Sequence, residues 1–599
     1  MPDHTATPTE THEVNHSEEL PFWQKYIIST DHKVIGLQYG LTGGFFLLFG
    51  FCLMMLMRWS MAYPDQPIPV VGFLFPSTGG IISPDHYNIM GAMHGTIMVF
   101  MGVVPLAVGA FANYVVPLQI GAIDMAFPKI NAASYWCLFV GSVIMVASFF
   151  LPEGAAQSGW TSYPPLADIT AGHGQTFWLV GMVFLITSSL LSAINIIVTT
   201  IQLRAEGMTY MRMPFFVWSQ LVIAFLLLLA FPPLEAAAFL QFMDRVVGTS
   251  FFLPTGLVVS GEVADISGGG SPILWQHLFW FLAHPEVYVL ILPGFAIATE
   301  VITCNSRKPL YGYKALIYSL VFLGFMSFAV WAHHMFMTGM GTTMNAFFQT
   351  TTMIISVPSV IILSCLFLSL WGGSMRFNTP MLFALGFLPM FGIGGLTGLP
   401  LGLSASDIHL HDTYYVIGHF HYVVAPGTLF ALFAGIYHWF PKITGRTMNE
   451  LMGKIHFFGS LICMNLVFFP MLIQGLAGIN RRLYDGGAAY ADQAAVIDPG
   501  FYSHAANFLH LNKIMSHSAW LLGLFQILFV INLIWSIRKG KKVGRNPWEA
   551  TTLEWAAPSP PLGHGNFDSP IKVYKDPYEY SVPGASRDFS PQFEEKEGS

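Results

Sequence analysis

The stretch H411-DTYYVIGHFHY-V423 places His411, His419 and His421 in a segment that is otherwise almost wholly apolar or aromatic. A helix turns about 100° per residue, so His419 and His421 project about 200° apart, from nearly opposite faces. One compact metal ion would not use such a pair. Two separate groups, one on each face, would. An imidazole in hydrocarbon is costly unless something binds it, and ionisable groups inside membrane spans mark function by default.

The rest of the chain supplies the hydrocarbon. Of 599 residues, 54% are hydrophobic and only 10% are charged, with mean hydropathy +0.56. Soluble proteins carry about 25% charged residues. Runs of roughly 20 apolar residues span a bilayer as helices. By that rule the expected fold is all-α and polytopic, with about twelve spans near 34–60, 88–115, 131–152, 176–202, 214–242, 272–302, 312–332, 344–372, 378–401, 412–440, 450–475 and 514–537. These form one domain, 21–540. A polar extension, 1–20, precedes it and has no apolar core of a signal peptide. A tail, 541–599, rich in Pro and charge, follows it outside the membrane.

Loops after even-numbered spans carry most of the Lys and Arg: Lys129, Arg204, Arg212, Arg307, Lys308, Arg376, Lys442, Arg446 and Arg538 among them. The positive-inside rule then puts both termini in the cytoplasm. The five cysteines, Cys52, Cys137, Cys304, Cys365 and Cys463, include no CxxC and lie mostly in apolar spans. They suggest neither a disulfide framework nor a thiolate metal site. "SGGGS", 267–271, has no phosphate-binding context and reads as a linker. Nothing indicates nucleic-acid binding.

Four further histidines fall in or at the ends of spans, His94, His284, His333 and His334, which with His419 and His421 make six intramembrane imidazoles. Taken singly, each is explained as a structural histidine bonded to a carbonyl. Six together, all falling in one half of the membrane by the span count, point to metal. In "WFLAHPEVYVL" His284 and Tyr288 are four apart and share a face, while Glu286 points elsewhere. "WAHH" puts His333 and His334 at a span end, where neighbours converge if the helix is irregular. Three convergent imidazoles suit copper or zinc, and porphyrin iron takes axial His.

"STDHKVIGLQY", "HGTIMVF", "NYVVPLQIGAIDMAFPKIN", "WFLAHPEVY", "WAHHMF" and "HDTYYVIGHFHYV" occur in this order. Over residues 20–540 the chain resembles subunit I of the heme–copper oxygen reductases. The resemblance implies two A-type hemes, one copper ion and a Mg²⁺ shared with subunit II. It assigns His94 and His421 to a low-spin heme, His419 to a high-spin heme, and His284, His333 and His334 to copper. Tyr288 matches the tyrosine covalently linked to a copper-ligating histidine. Arg58 matches the arginine at the heme A formyl group, Trp160, Arg481 and Arg482 match propionate partners, and His411 with Asp412 matches the magnesium site. The implied reaction is reduction of O2 to water with electrons from a cytochrome c-type donor, coupled to proton uptake and pumping. Partners implied are subunits II and III, a donor cytochrome that can belong to a larger respiratory complex, and the lipid bilayer, with a bacterial inner membrane as the expected location.

Asp124, Asn113, Asn131, Ser134, Ser188 and Ser189 match the family's aspartate channel, with Glu286 at its inner end. A carboxyl in apolar surroundings can shuttle protons. The second channel departs from the pattern: "SVPSVII", 356–362, has Ile362 where a lysine is expected, though Ser359, Thr352 and Thr299 remain. Glu300, beside Thr299, is expected to be a solvated helix-end carboxylate; the competing reading is a substitute for the lysine. Quinol-oxidising relatives carry Arg and Asp where this chain has Phe49 and Leu53, which favours the cytochrome c-type donor. Nitric oxide reductases lack the tyrosine matched by Tyr288. A twelve-span solute carrier explains the hydropathy but not the histidines.

Overall fold

The computed structural model describes residues 21–489, 504–563 and 565–595. The polar extension 1–20 therefore lies outside the described residues. Among the described residues, eleven helices are long and apolar enough to cross a membrane: α1 (His32–Ala62), α2 (Pro84–Ile120), α3 (Pro128–Phe150), α4 (His173–Gln202), α5 (Phe215–Val246), α6 (Pro272–Ser306), α8 (Thr342–Leu370), α9 (Thr379–Leu401), α10 (Tyr414–Thr444), α11 (Glu450–Leu476) and α12 (His504–Lys539). The seventh expected span, 312–332, is the shorter apolar helix α7 (Tyr313–Ser327), continued by a tight 3₁₀ turn at Trp331–Met335. The all-α polytopic fold is as expected.

Helix ends follow local chemistry. Asp31 caps α1 by accepting from the Lys33 amide at 2.8 Å, and Thr413 caps α10 by accepting from the Tyr415 amide at 3.2 Å. Each satisfies one amide that the first turn leaves without a partner. Two helices widen into π turns just past their histidines: α2 over Ile97–Val103 and Pro105–Ala110, and α10 over Val424–Leu429. Pro105 and Pro426 sit in these segments and have no amide hydrogen to give, so the ladder loosens around them.

The C-terminal segment covers one face of the bundle. Arg307 after α6 pairs with Asp588 at 2.6 Å, and Arg376 before α9 pairs with Glu549 at 2.7 Å. Lys442 at the end of α10 donates to the Ala557 carbonyl at 2.6 Å. A short strand, Arg446–Thr447, entering α11, pairs antiparallel with Lys541–Lys542, leaving α12. Lys33 at the start of α1 donates to Asn566 at 2.8 Å. One segment thus touches the start of α1 and the loops that follow α2, α4, α6, α8 and α10. All of these lie on the same face, as the even-span count requires. At the opposite face a short hairpin, Val258–Val259 with Glu262–Val263, joins α5 to α6. Residues 267–271 lie in this same connection.

Glu300 is not solvated. It is 4% exposed, accepts from the Tyr578 hydroxyl at 2.6 Å and receives the Phe216 amide at 3.4 Å. The sequence-based expectation fails because the C-terminal segment closes over this helix end. Tyr578 also accepts from the Phe215 amide at 2.7 Å. Tyr578 and Glu300 together cap α5, whose own N-cap position is Pro214, with no side chain able to do so. Tyr578→Phe leaves both the amide and the carboxyl short of a partner, at a cost of about 1–3 kcal/mol. Hydrogen exchange of the purified protein should show the Phe215 and Phe216 amides opening about 5- to 100-fold more often; unchanged protection there refutes the capping role.

Candidate metal and proton-transfer site

Three half-buried histidines share one arrangement. His94 Nδ1 donates to the Gly50 carbonyl at 2.8 Å. His419 Nδ1 donates to the Gly394 carbonyl at 2.8 Å. His421 Nδ1 donates to the Ile417 carbonyl at 2.9 Å. A carbonyl can only accept, so each neutral ring carries its proton on Nδ1 and leaves the Nε2 lone pair free. This is how metal-ligating histidines are oriented. His419 faces α9, whereas His421 stacks on Phe468 of α11 at 4.7 Å. The two rings thus serve opposite sides of α10, as helical geometry requires.

The second cluster is compact. Ring nitrogens of His284, His333 and His334 lie within 4.8 Å of one another. The tight turn at Trp331–Met335 brings the adjacent pair together, with ring centroids 4.3 Å apart. His284 Nδ1 faces His334 Nε2 at 3.4 Å. Without metal the two nitrogens can share only one proton, while a soft divalent or monovalent cation takes both lone pairs. Trp280 stacks on His334 at 3.8 Å and Thr352 holds His333 Nδ1 at 3.0 Å. Tyr288 lies on the face of His284, with centroids 5.2 Å apart.

Polar groups around these rings fit large anionic and carbonyl-bearing cofactors. Arg58 is 1% exposed, and its Nε and Nη1 have no protein partner. A buried guanidinium left in that state calls for an acceptor. Arg482 passes so close to Gly159 that a Cβ there would meet Nη1 at 3.1 Å; Trp160 is the next residue. Burial, then the neighbouring Arg481, pulls Arg482 down to about 10. Arg481 pairs with Asp412. His411 Nε2 lies 3.8 Å from Asp412, so these two offer ligand atoms for one cation and would need a further chain to complete it. Asp407, absent from the sequence-based set, lies 3.6 Å from His411 and raises its pKa, against burial.

The proposed aspartate channel is a line of polar groups. Asp124 sits in the loop between α2 and α3, with Asn195 and Thr199 of α4 holding that loop through the Phe127 and Ala126 amides. Further in, Asn131 is fully buried and neither of its side-chain polar atoms has a protein partner; the same holds for Asn113 Oδ1. Ser134 donates to the Asn131 carbonyl and Ser188 to the Ser134 carbonyl, each at 2.7 Å. Tyr39, which the sequence reading missed, bridges them: its hydroxyl lies 2.9 Å from Ser134, 3.2 Å from Ser188 and 3.3 Å from Ser192. A cavity lined by Tyr39, Ser188, Ser189 and Ser192 has ≈ 20 Å³ for water centres, enough for a water, which needs about 10–15 Å³. Glu286 is buried with both carboxylate oxygens unpartnered by protein. In the second channel Thr299 turns back onto the Phe295 carbonyl at 2.8 Å, Ser359 is half-buried, and Ile362 is fully buried.

Residues 34–517 match the family described as cytochrome C and quinol oxidase polypeptide I. The chain is 41% identical over 590 residues to the alternative cytochrome c oxidase subunit 1 of Bradyrhizobium diazoefficiens, covering 98% of this chain and 95% of that one. It is 42% identical over 563 residues to cytochrome c oxidase subunit 1 of a Synechocystis strain, covering 94% and 93%. It is 39% identical over 564 residues to the Cereibacter sphaeroides protein of the same name, covering 91% and 94%. A heme–copper terminal oxidase dimer solved by cryo-EM shares the fold, with TM-score 0.67 at 21% identity over 85% of this chain and 84% of that one. The fold, the paired and triple histidine sets and these relatives converge: the chain belongs to the cytochrome c and quinol oxidase polypeptide I family and is a membrane oxidoreductase of the heme–copper oxidase fold.

Proposed function

We propose that this chain is the catalytic subunit of a terminal respiratory oxidase that reduces O2 to water with electrons from a cytochrome c-type donor, coupled to proton uptake and pumping. The observation that carries the reading is the tautomer pattern: three deep imidazoles with Nδ1 spent on backbone carbonyls, beside three whose nitrogens converge. His94 and His421 would hold a low-spin heme, His419 a high-spin heme, and His284, His333 and His334 a copper ion. When bound, these groups supply the electron storage and oxygen chemistry.

The chain's own residues do the rest. Arg58, with donors to spare, suits the formyl group of an A-type heme, and Arg481, Arg482 and Trp160 suit propionates. Tyr288 is positioned beside His284 to give a proton at the oxygen-binding side. Protons enter at Asp124 and pass along Asn113, Asn131, the Tyr39–Ser134–Ser188 cluster, Ser189 and bound water to Glu286. Thr299, Ser359 and Thr352 are the polar groups of the second route; Ile362 offers no ionisable group there. His411 and Asp412 would share Mg²⁺ with subunit II, and subunit III would complete the complex. Both termini then face the cytoplasm of a bacterial inner membrane.

The family includes quinol oxidases. Phe49 packs edge-on against Phe149 and Leu53 lies in the core, so that part of α1 offers no polar contact for a quinol headgroup. Oxygen consumption by the purified complex with reduced cytochrome c, and none with a quinol, is the expected result; the reverse overturns the donor assignment.

His421→Ala should remove the low-spin heme bands and leave the high-spin ones, and His419→Ala the converse. Loss of the same bands in both variants contradicts the two-face assignment. Glu286→Gln should lower oxygen consumption by about 100-fold or more with the visible spectrum intact. Unchanged proton-coupled turnover in that variant rejects Glu286 as the carrier.

A further inference from the structure

Asn566, more than 20 residues beyond the last span, is fully buried at the opposite end of the chain from its contacts. Its φ of 61° is left-handed, a conformation Asn adopts more readily than most residues. Its amide donates to the Ala122 carbonyl at 2.9 Å and the Ile123 carbonyl at 3.1 Å, the two residues before Asp124. Its carbonyl oxygen accepts from Lys33 at 2.8 Å. It also meets His32, whose Nδ1 donates to the Asn113 carbonyl at 2.6 Å. That fixes the neutral ring's proton on Nδ1 and leaves Nε2 as the acceptor of Asn566 Nδ2 at 2.9 Å. Lys33 is further bound to the Gly563 carbonyl at 3.2 Å.

We infer that the C-terminal segment is part of the proton-uptake mouth, with Asn566 as the positioning residue that holds the Asp124 loop against His32 and keeps Lys33 occupied. The inference rests on the reading of Asp124 as the uptake carboxyl. Two features give the contact a functional consequence. Asn566 ties the loop that carries Asp124 to the start of α1 and, through His32, to the backbone of Asn113, the next polar residue inward. It also holds the Lys33 amine, which pairs with Asp31 at 3.1 Å, away from the Asp124 carboxylate. Burial raises the Asp124 carboxyl above its ordinary range, opposed by His32 and by Lys33 and reinforced by Asp31. Those three charged or titratable groups all stand at the start of α1. Among the described residues, α4 meets the loop through neutral Asn195 and Thr199, and the C-terminal segment through neutral Asn566.

The test uses the purified intact oxidase, with partner subunits and cofactors, and follows oxygen consumption against pH. Asn566→Ala opens the mouth to water and releases Lys33, so the alkaline limb should move to lower pH by about half a pH unit or more. Asn566→Asp keeps the side-chain size but replaces the amide donor to the Ala122 and Ile123 carbonyls by a further carboxylate near Asp124, so the limb should move to higher pH. A residue that merely fastens the tail would give a uniform loss of rate, two shifts of one sign or no shift, and each of these overturns the proposal. Hydrogen exchange reads the contact without turnover: amides 121–126 should exchange faster in Asn566→Ala, and unchanged exchange overturns it as well. Asp124→Asn separates the two levels of inference. Intact proton uptake in that variant removes the reading of Asp124 itself, whereas blocked uptake with unmoved Asn566 profiles removes only the role of Asn566.

Discussion

The structure depends on one pairing: an imidazole within a span whose Nδ1 is committed to a backbone carbonyl. Helix carbonyls normally accept within their own helix, so a ring on one helix reaches a carbonyl on another only where the two backbones come close. Glycine makes that approach possible. A Cβ at Gly50, whose carbonyl takes His94, would meet Met98 Sδ at 2.8 Å, and one at Gly394, whose carbonyl takes His419, would meet the Val423 amide nitrogen at 3.0 Å. One turn further along α9, a Cβ at Gly398 would meet His419 Cε1 at 2.7 Å. At Gly394, where the obstacle is backbone, a side chain would push the helices apart and take the carbonyl out of reach, and at Gly50 it would displace Met98. Small residues at helix contacts are the usual route to close packing in a membrane; here they also set the tautomer on which metal ligation depends.

The spans and the histidine geometry were legible because both rest on local rules. Hydropathy needs only a window of sequence, and the opposition of His419 and His421 needs only the helical repeat. Convergence of His333 and His334 required an irregular span end, and the 3₁₀ turn at Trp331–Met335 supplies it. The C-terminal segment was not legible. Residues 541–595 have no periodicity, and their partners lie hundreds of positions away, as with Asn566 and His32 at a separation of 534. Glu300 was misjudged for the same reason: a carboxyl at a helix end is solvated unless something distant covers it, and Tyr578 does. Tyr39 and Ser192 were missed because a hydroxyl within an apolar helix gives no signal of its own. Only the helical face shared by Ser188 and Ser192, four residues apart, could have drawn attention to the second.

The unpartnered polar atoms support the proposed proton route over a purely structural role for these buried groups. A buried side-chain group without a partner costs about 1–3 kcal/mol. Asn113, Asn131 and Glu286 together leave five such atoms unpaired by protein. Apolar residues of similar size at these positions would remove that cost. By contrast, Asn195 answers both the amide and the carbonyl of Phe127, and Asp244 collects Thr249, Phe251 and Phe252. The difference separates two kinds of buried polarity in one bundle. Closed groups hold loops and helix ends in place, while open ones keep a hydrogen-bonding position available for water and for a proton in passage. In the proposed reading, a route that enters at the loop carrying Asp124 and ends at Glu286, two residues from His284, makes the covering of that loop by the C-terminal segment a matter of proton supply as well as of packing.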